Sequence, residues 1–183
     1  MHPEEAGRVG ELTLAAYDRY GRIEGDYRAY LADPLARLDA CTAVLVAEGP
    51  DGEVVGTVSF VLPTDAAWED RTPPAGDAGF RILAVDPAWE GYGIGTALVD
   101  ACFALARERG AHRLLITSMA WMHRAHALYE RRYGFVRRPD LDVRFPSGVG
   151  FIFACDLTAD APHRFPPPGP VPAEPPWFED VWG

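Results

Sequence analysis

Three glycines at alternate positions, Gly91, Gly93 and Gly95 in the stretch Glu90–Thr96 (EGYGIGT), stand between an apolar run and an amphipathic one. No other feature constrains the fold as much. Phe80–Val85 reads as a buried strand ended by Asp86-Pro87. Thr96–Arg109 reads as a helix with Leu98, Ala101, Cys102, Leu105 and Ala106 on one face, and Gly110 as its C′ residue. A strand, a glycine turn and a helix start together make an anion cradle. Glycines let the backbone approach a ligand, and the first N–H groups of the helix point toward negative charge. A Walker A loop needs GxxxxGK[ST], and this chain has no Lys. A dinucleotide fingerprint needs Gly at position 96, where Thr96 stands, or Gly or Ala at 98, where Leu98 stands. A tight turn without a ligand is the plain alternative.

The flanking pattern alternates helix and strand. Residues 3–20 form an expected helix, with Pro3 in its first turn and Val9, Leu12, Ala16 and Tyr20 as an apolar stripe. Residues 24–39 suggest a second, which Pro34 breaks or restarts. Thr42–Glu48 and Val54–Leu62 read as a hairpin around Asp51-Gly52. Pro63–Gly79 is polar, rich in Pro, Gly and Asp, and reads as a loop. His112–Ser118 is a further strand, 121–133 a helix ending at Gly134, and Phe135–Arg138 and Gly150–Leu157 are strand candidates.

Composition narrows the function. The chain has 183 residues, 48% hydrophobic and 24% charged, which fits a globular domain. A net charge of −10 argues against nucleic acid as a partner and favours cationic ones. There is no apolar run of about 18–20 residues, so no membrane span is expected. The opening MHPEEAGRVGEL has no basic region followed by an apolar stretch, so it does not read as a secretory signal. All 17 basic residues are Arg, which leaves no side-chain amine for a Schiff base. Cys41, Cys102 and Cys155 show no CxxC spacing, so a disulfide framework, a zinc site or any other metal site is not expected. A reducing cytoplasm fits best. Residues 159–183 hold eight of the 17 prolines and read as an extended tail. That tail carries Trp177, Phe178, Val181 and Trp182, a composition suited to docking on this chain or a partner.

The stretch from FRILAVDPAWEGYGIGT through HRLLI, followed by HALYERRYGFV, resembles the GNAT superfamily of N-acetyltransferases. Residues 90–95 match its [Q/R]xxGx[G/A] signature at Gly93 and Gly95. Residues 128–135 match its LYExxGF segment with one extra residue before Gly134. The resemblance implies an α/β (α+β) fold. Its central sheet is mixed, mostly antiparallel, with about six or seven strands and about four flanking helices, splayed at the cofactor site. It places the domain at residues 1–158, without the family's first strand.

It also implies transfer of acetyl from acetyl-CoA to a primary amine, by direct attack in a ternary complex. Backbone groups of Leu83, Ala84 and Val85 would pair with the pantetheine amides and polarise the thioester carbonyl. Glu90, Gly91, Tyr92, Gly93, Ile94, Gly95 and Thr96 would hold the pyrophosphate. Tyr129 matches the tyrosine that protonates the departing thiolate, a reasonable step for a phenol of pKa ~10. The family does not fix the base; Asp77, just before the central strand, is the first candidate and Glu69 the second. His126, on the same helix face as Tyr129, could shuttle a proton. Core packing on an amphipathic helix is the plain alternative for Tyr129, and solvation for Arg131 and Arg132.

Two residues depart from the pattern. Glu90 puts a carboxylate near the pyrophosphate, and Met122 replaces an Asn that contacts CoA. They keep open a second reading, a CoA-binding sensor or assembly module with weak or no catalysis. The acceptor is not encoded in a motif. Asp65, Glu69, Asp70 and Asp77 suggest a cationic small molecule, and Trp68 and Trp121 are candidates to line its pocket. A homodimer is expected from the resemblance alone.

Overall fold

A computed structural model describes residues 1–21, 23–68, 76–145 and 148–158. Glu69, Asp70 and the whole tail from residue 159 lie outside the described residues. The chain divides into two compact units, Met1–Ala111 and His112–Gly183.

The first unit begins with a 3-10 turn, Pro3–Glu5, and helix α1, Ala6–Asp18. Val9, Leu12 and Ala16 of the expected stripe are buried, joined by Thr13 and Tyr17. The expected second helix is two: α2, Gly25–Ala32, and α3, Pro34–Ala40. The break follows from proline chemistry. Pro34 disfavours helical geometry at Asp33, which takes φ −109° and ψ 84°. The Asp33 side chain then accepts from the Ala36 N–H at 3.0 Å and caps α3. α1 and α2 meet at Gly10, where a Cβ would lie 2.7 Å from the Ala32 carbonyl oxygen.

Strands β1, Ala43–Glu48, and β2, Val54–Val61, form the expected hairpin, with Gly52 at φ +78° in its turn. Every residue of β2 is buried. β3, Asp77–Val85, pairs antiparallel with β2 and starts three residues earlier than the sequence suggests. Helix α4, Ile94–Glu108, follows. It seats closely on β2, because a Cβ at Gly56 would stand 2.7 Å from Ile94 Cγ2.

The second unit is built around β7, Gly148–Asp156. β4, Arg113–Met119, pairs with it antiparallel from Arg113 opposite Asp156 to Met119 opposite Gly150. Two short strands also pair with β7: β5, Val136–Arg137, and β6, Val143–Phe145. The sequence reading lacks β6, which is three residues long and set among Asp, Pro and Ser. It forms because Gly150 lets the backbone close against Phe145; a Cβ there would stand 2.6 Å from the Phe145 ring. Helix α5, His123–Tyr133, completes the unit, and Gly134 at φ +69° ends it.

The ends of α4 and α5 differ by one residue. After α4, the Gly110 and Ala111 N–H groups donate to the Arg107 and Ala106 carbonyls. After α5, the Gly134 and Phe135 N–H groups donate one residue further back, to Glu130 and Tyr129. The extra residue of LYERRYGF is absorbed in this wider turn. Phe135 still packs on the Tyr129 ring, with centroids 5.8 Å apart.

Candidate active site

The glycine turn in the first unit is open on its outer side. Gly91 and Gly93 have φ +84° and +83°, a region that disfavours side chains, and an added Cβ at either would meet nothing within 4 Å. Gly93 is the N-cap of α4, and no side chain caps that end. The first helical bond runs from the Ala97 N–H to the Gly93 carbonyl at 2.9 Å. The N–H groups of Ile94, Gly95 and Thr96 therefore precede the helical ladder. Gly95 is tighter: a Cβ there would lie 3.6 Å from Val85 Cγ2, so the helix start is held against the end of β3. Close backbone, an uncapped helix start and open space suit a pyrophosphate.

β3 carries a bulge where the pantetheine-pairing residues were expected. Thr57 opposes Ala84 and Ser59 opposes Arg81, so two steps along β2 match three along β3. The additional residue lies at Ile82–Leu83. Ile82 takes φ +52°, and no other non-glycine among the described residues has a positive φ. A β-branched residue in that region is strained and persists only where its surroundings enforce it. The bulge directly precedes Leu83, Ala84 and Val85.

Two arginines of α1 and the residue after it fix the loop between β3 and α4. Arg8 pairs with Asp86, and its Nε donates to the Val54 carbonyl at 3.0 Å. Burial alone would raise the Asp86 carboxyl; the Ala88 N–H and Arg8 outweigh it and hold the group below its ordinary value. Arg19 forms a two-pronged ion pair with Glu90, with Nη2 to Oε2 at 3.1 Å. The carboxylate that looked out of place beside a pyrophosphate thus carries its own cation. Neither arginine was singled out from sequence. Their partners are 78 and 71 residues away, and no local spacing announces such pairs. Tyr92 is 73% exposed and meets the Trp89 ring edge-on at 5.6 Å.

The remaining candidates scatter by environment. Asp77 opens β3 and is 1% exposed. Asp65 does not face solvent as an acidic lure: its Oδ2 accepts from the Thr42 and Leu62 N–H groups at 2.7 and 2.8 Å and staples the loop. Trp68 packs against Cys41, Val61 and Ala67. Tyr129 is 4% exposed, packed on Phe135 and Phe153. His126, one turn before it, is 9% exposed between Phe151 and Phe153. Burial first, then His123 and Arg137, push His126 down to about 4, against a hydrogen bond to the Met119 backbone that works the other way. It is a neutral imidazole at pH 7 and a poor proton carrier there. Arg131 and Arg132 are exposed. Trp121 lies against Gly148. Met122 caps α5 without a side-chain bond to its backbone, and its sulfur accepts from Ser118 Oγ at 3.7 Å. Among the described residues no His, Cys, Asp and Glu cluster could hold a metal ion, and no helix is long and apolar enough to cross a membrane. The three cysteines are free thiols.

Comparison with known proteins converges on one family. The acetyltransferase (GNAT) family model matches residues 10–135. The chain is 35% identical over 108 residues to an aminoglycoside N(6')-acetyltransferase type 1 from Stenotrophomonas maltophilia, covering 56% of this chain and 69% of that protein. A GNAT-family acetyltransferase from Staphylococcus aureus shares the fold with a TM-score of 0.66 and 16% identity, over 86% of this chain and 96% of that one. A GNAT-family acetyltransferase from Brucella melitensis, solved in complex with acetyl-CoA, matches with a TM-score of 0.56 and 24% identity, over 93% of this chain and 88% of that one. With the glycine cradle and the bulged strand before it, these matches show that the chain belongs to the GNAT family of acetyltransferases.

Proposed function

We propose that the protein transfers the acetyl group of acetyl-CoA to a primary amine of a small cationic acceptor, by direct attack in a ternary complex. The observation that carries this reading is the α4 start: an uncapped helix N-terminus behind two left-handed glycines with open space before them. In this reading the Gly91–Thr96 backbone, with Glu90, Tyr92 and Ile94 shaping its rim, holds the pyrophosphate. Leu83, Ala84 and Val85 present backbone groups to the pantetheine arm. The amine nitrogen attacks the thioester carbonyl, the C–S bond breaks, the thiolate takes a proton from the Tyr129 hydroxyl, and the second proton that the nitrogen sheds as the amide forms restores that hydroxyl. Asp77 receives the proton that the acceptor ammonium gives up.

A cationic acceptor draws support from the net charge of −10 and from the aminoglycoside acetyltransferase relative. The rival reading, a CoA-binding module without turnover, rests on Glu90 and Met122, and the Arg19 pair matches the Glu90 charge. We also read the protein as cytoplasmic and homodimeric, with the 159–183 tail as a docking segment. Mass in solution before and after deleting that tail tests the last two points.

Calorimetric titration with acetyl-CoA and CoA is the direct test. The native chain binds in the micromolar range, and Gly93→Glu, which fills the cradle, loses that binding. An amine panel then follows, with aminoglycosides, polyamines and amino acids compared on native, Tyr129→Phe and Asp77→Asn proteins. Absence of CoA binding in the native chain overturns the reading; binding with no turnover of any amine favours the rival.

A further inference from the structure

Arg37 of α3 is 0% exposed. Its Nη2 approaches Thr13 Oγ at 3.5 Å, while the Thr13 hydroxyl proton goes to the Val9 carbonyl at 2.6 Å. Nε and Nη1, which carry three of the five guanidinium donors, have no acceptor. The groups that act on its charge are Tyr17, Tyr30, Cys41 and Tyr27, and no carboxylate is among them. An arginine cannot shed its proton to escape this position. The Cys41 thiol does not serve as its counter-ion either, because burial pushes that thiol up.

A second buried donor without an acceptor stands beside Cys41. Trp68 packs on the Cys41–Val61–Ala67 cluster with its Nε1–H unpaired. The Ser59 hydroxyl of β2 lies beside the Cys41 thiol and is hydrogen-bonded to it. Buried polar groups are almost always paired. A guanidinium and an indole N–H, both buried without an acceptor, describe the complement of an anion. The unpaired charge here is single, and the guanidinium fork matches the two oxygens of a carboxylate.

Entry is provided for. Tyr27 and Tyr30 belong to α2, which buries one residue, Leu31, and is flanked at its start by Gly21 and Gly25, both at positive φ. Its ties to α1 include the exposed Arg28–Asp18 ion pair and the close approach of Ala32 to Gly10, and entry beneath it parts these contacts. We propose that Arg37, with Trp68, binds the carboxylate of a small organic acid beneath α2. The site stands on these donors and not on the acetyl-donor reading. The carboxylate belongs either to a free monocarboxylic acid or to an amino-acid acceptor.

The test uses propanoate, alanine and alaninamide as probes, against chloride at equal ionic strength. Propanoate and alanine raise the unfolding midpoint of the full chain and alaninamide does not. Arg37→Met removes the effect, and Trp68→Phe, which keeps the ring and loses the donor, weakens binding by about tenfold. Turnover of alanine with acetyl-CoA assigns the carboxylate to the acceptor; binding without turnover assigns it to a separate ligand. The inference is overturned if neither acid stabilises beyond chloride, if alaninamide does so equally, or if Arg37→Met responds like the native chain. Should Arg37→Met not fold, unchanged affinity in Trp68→Phe overturns it.

Discussion

The start of α4 and the body of α5 carry the two segments that match the family, and they are made in opposite ways. The α4 start works through what is missing. Gly91 and Gly93 have no side chains, the helix end has no cap, and the space in front is empty. The α5 face works through what is filled. His126 and Tyr129 are buried one turn apart against Phe151, Phe153 and Phe135. An open helix start can thus be written in three glycines, whereas the setting of a buried side chain depends on everything packed around it.

The sharpest way to break this contrast is at the filled end. Tyr129→Phe removes one oxygen and leaves the ring packing in place. It should lower kcat by about 100-fold or more while acetyl-CoA affinity is unchanged. Equal kcat in a steady-state assay would return Tyr129 to the role of a core aromatic.

The next effect concerns pH. His126 is held down to about 4, so the unfolded chain protonates it first as pH falls. By linkage, stability is full above about pH 6.5 and declines toward pH 4, by up to about 3 kcal/mol from this residue. Denaturant melts of the native chain and His126→Phe across that window should diverge as native stability drops. Parallel curves would show that the imidazole is not held neutral by its surroundings.

At the open end the expected effects are smaller. Gly93→Ala forces a side chain into φ +83° and should cost about 1–2 kcal/mol, read as a lower melting temperature and a weaker acetyl-CoA titration. The smallest effect belongs to Arg19→Ala. Loss of a partly exposed ion pair should change donor affinity by about fivefold or less, with a reduced salt dependence. Acetyl-CoA affinity equal to native in both variants would mean that the cradle lies elsewhere.

Much of the fold was legible because its signals are local. The 3.6-residue stripe of α1, the Asp51-Gly52 turn and the C′ glycines Gly110 and Gly134 each depend on neighbours a few residues away. The glycine turn before α4 was legible for the same reason. The Arg8–Asp86 and Arg19–Glu90 pairs were not, since they join residues far apart in the chain. Nor was the acceptor-free state of Arg37, which depends on packing by α1 and α2 around it. β6 was missed because three residues carry no periodicity; it exists through the close approach at Gly150.

The ion pairs beside the cradle have a chemical corollary. A lysine held next to a bound thioester is itself an amine acceptor, and repeated exposure to the donor would cap it and erase its charge. The cations fixed at Asp86 and Glu90 are guanidiniums, and the chain has no lysine side chain at all. Guanidiniums stay protonated and non-nucleophilic at neutral pH. In the proposed reading, the charges that position the loop are therefore inert toward an acetyl donor held in the cradle.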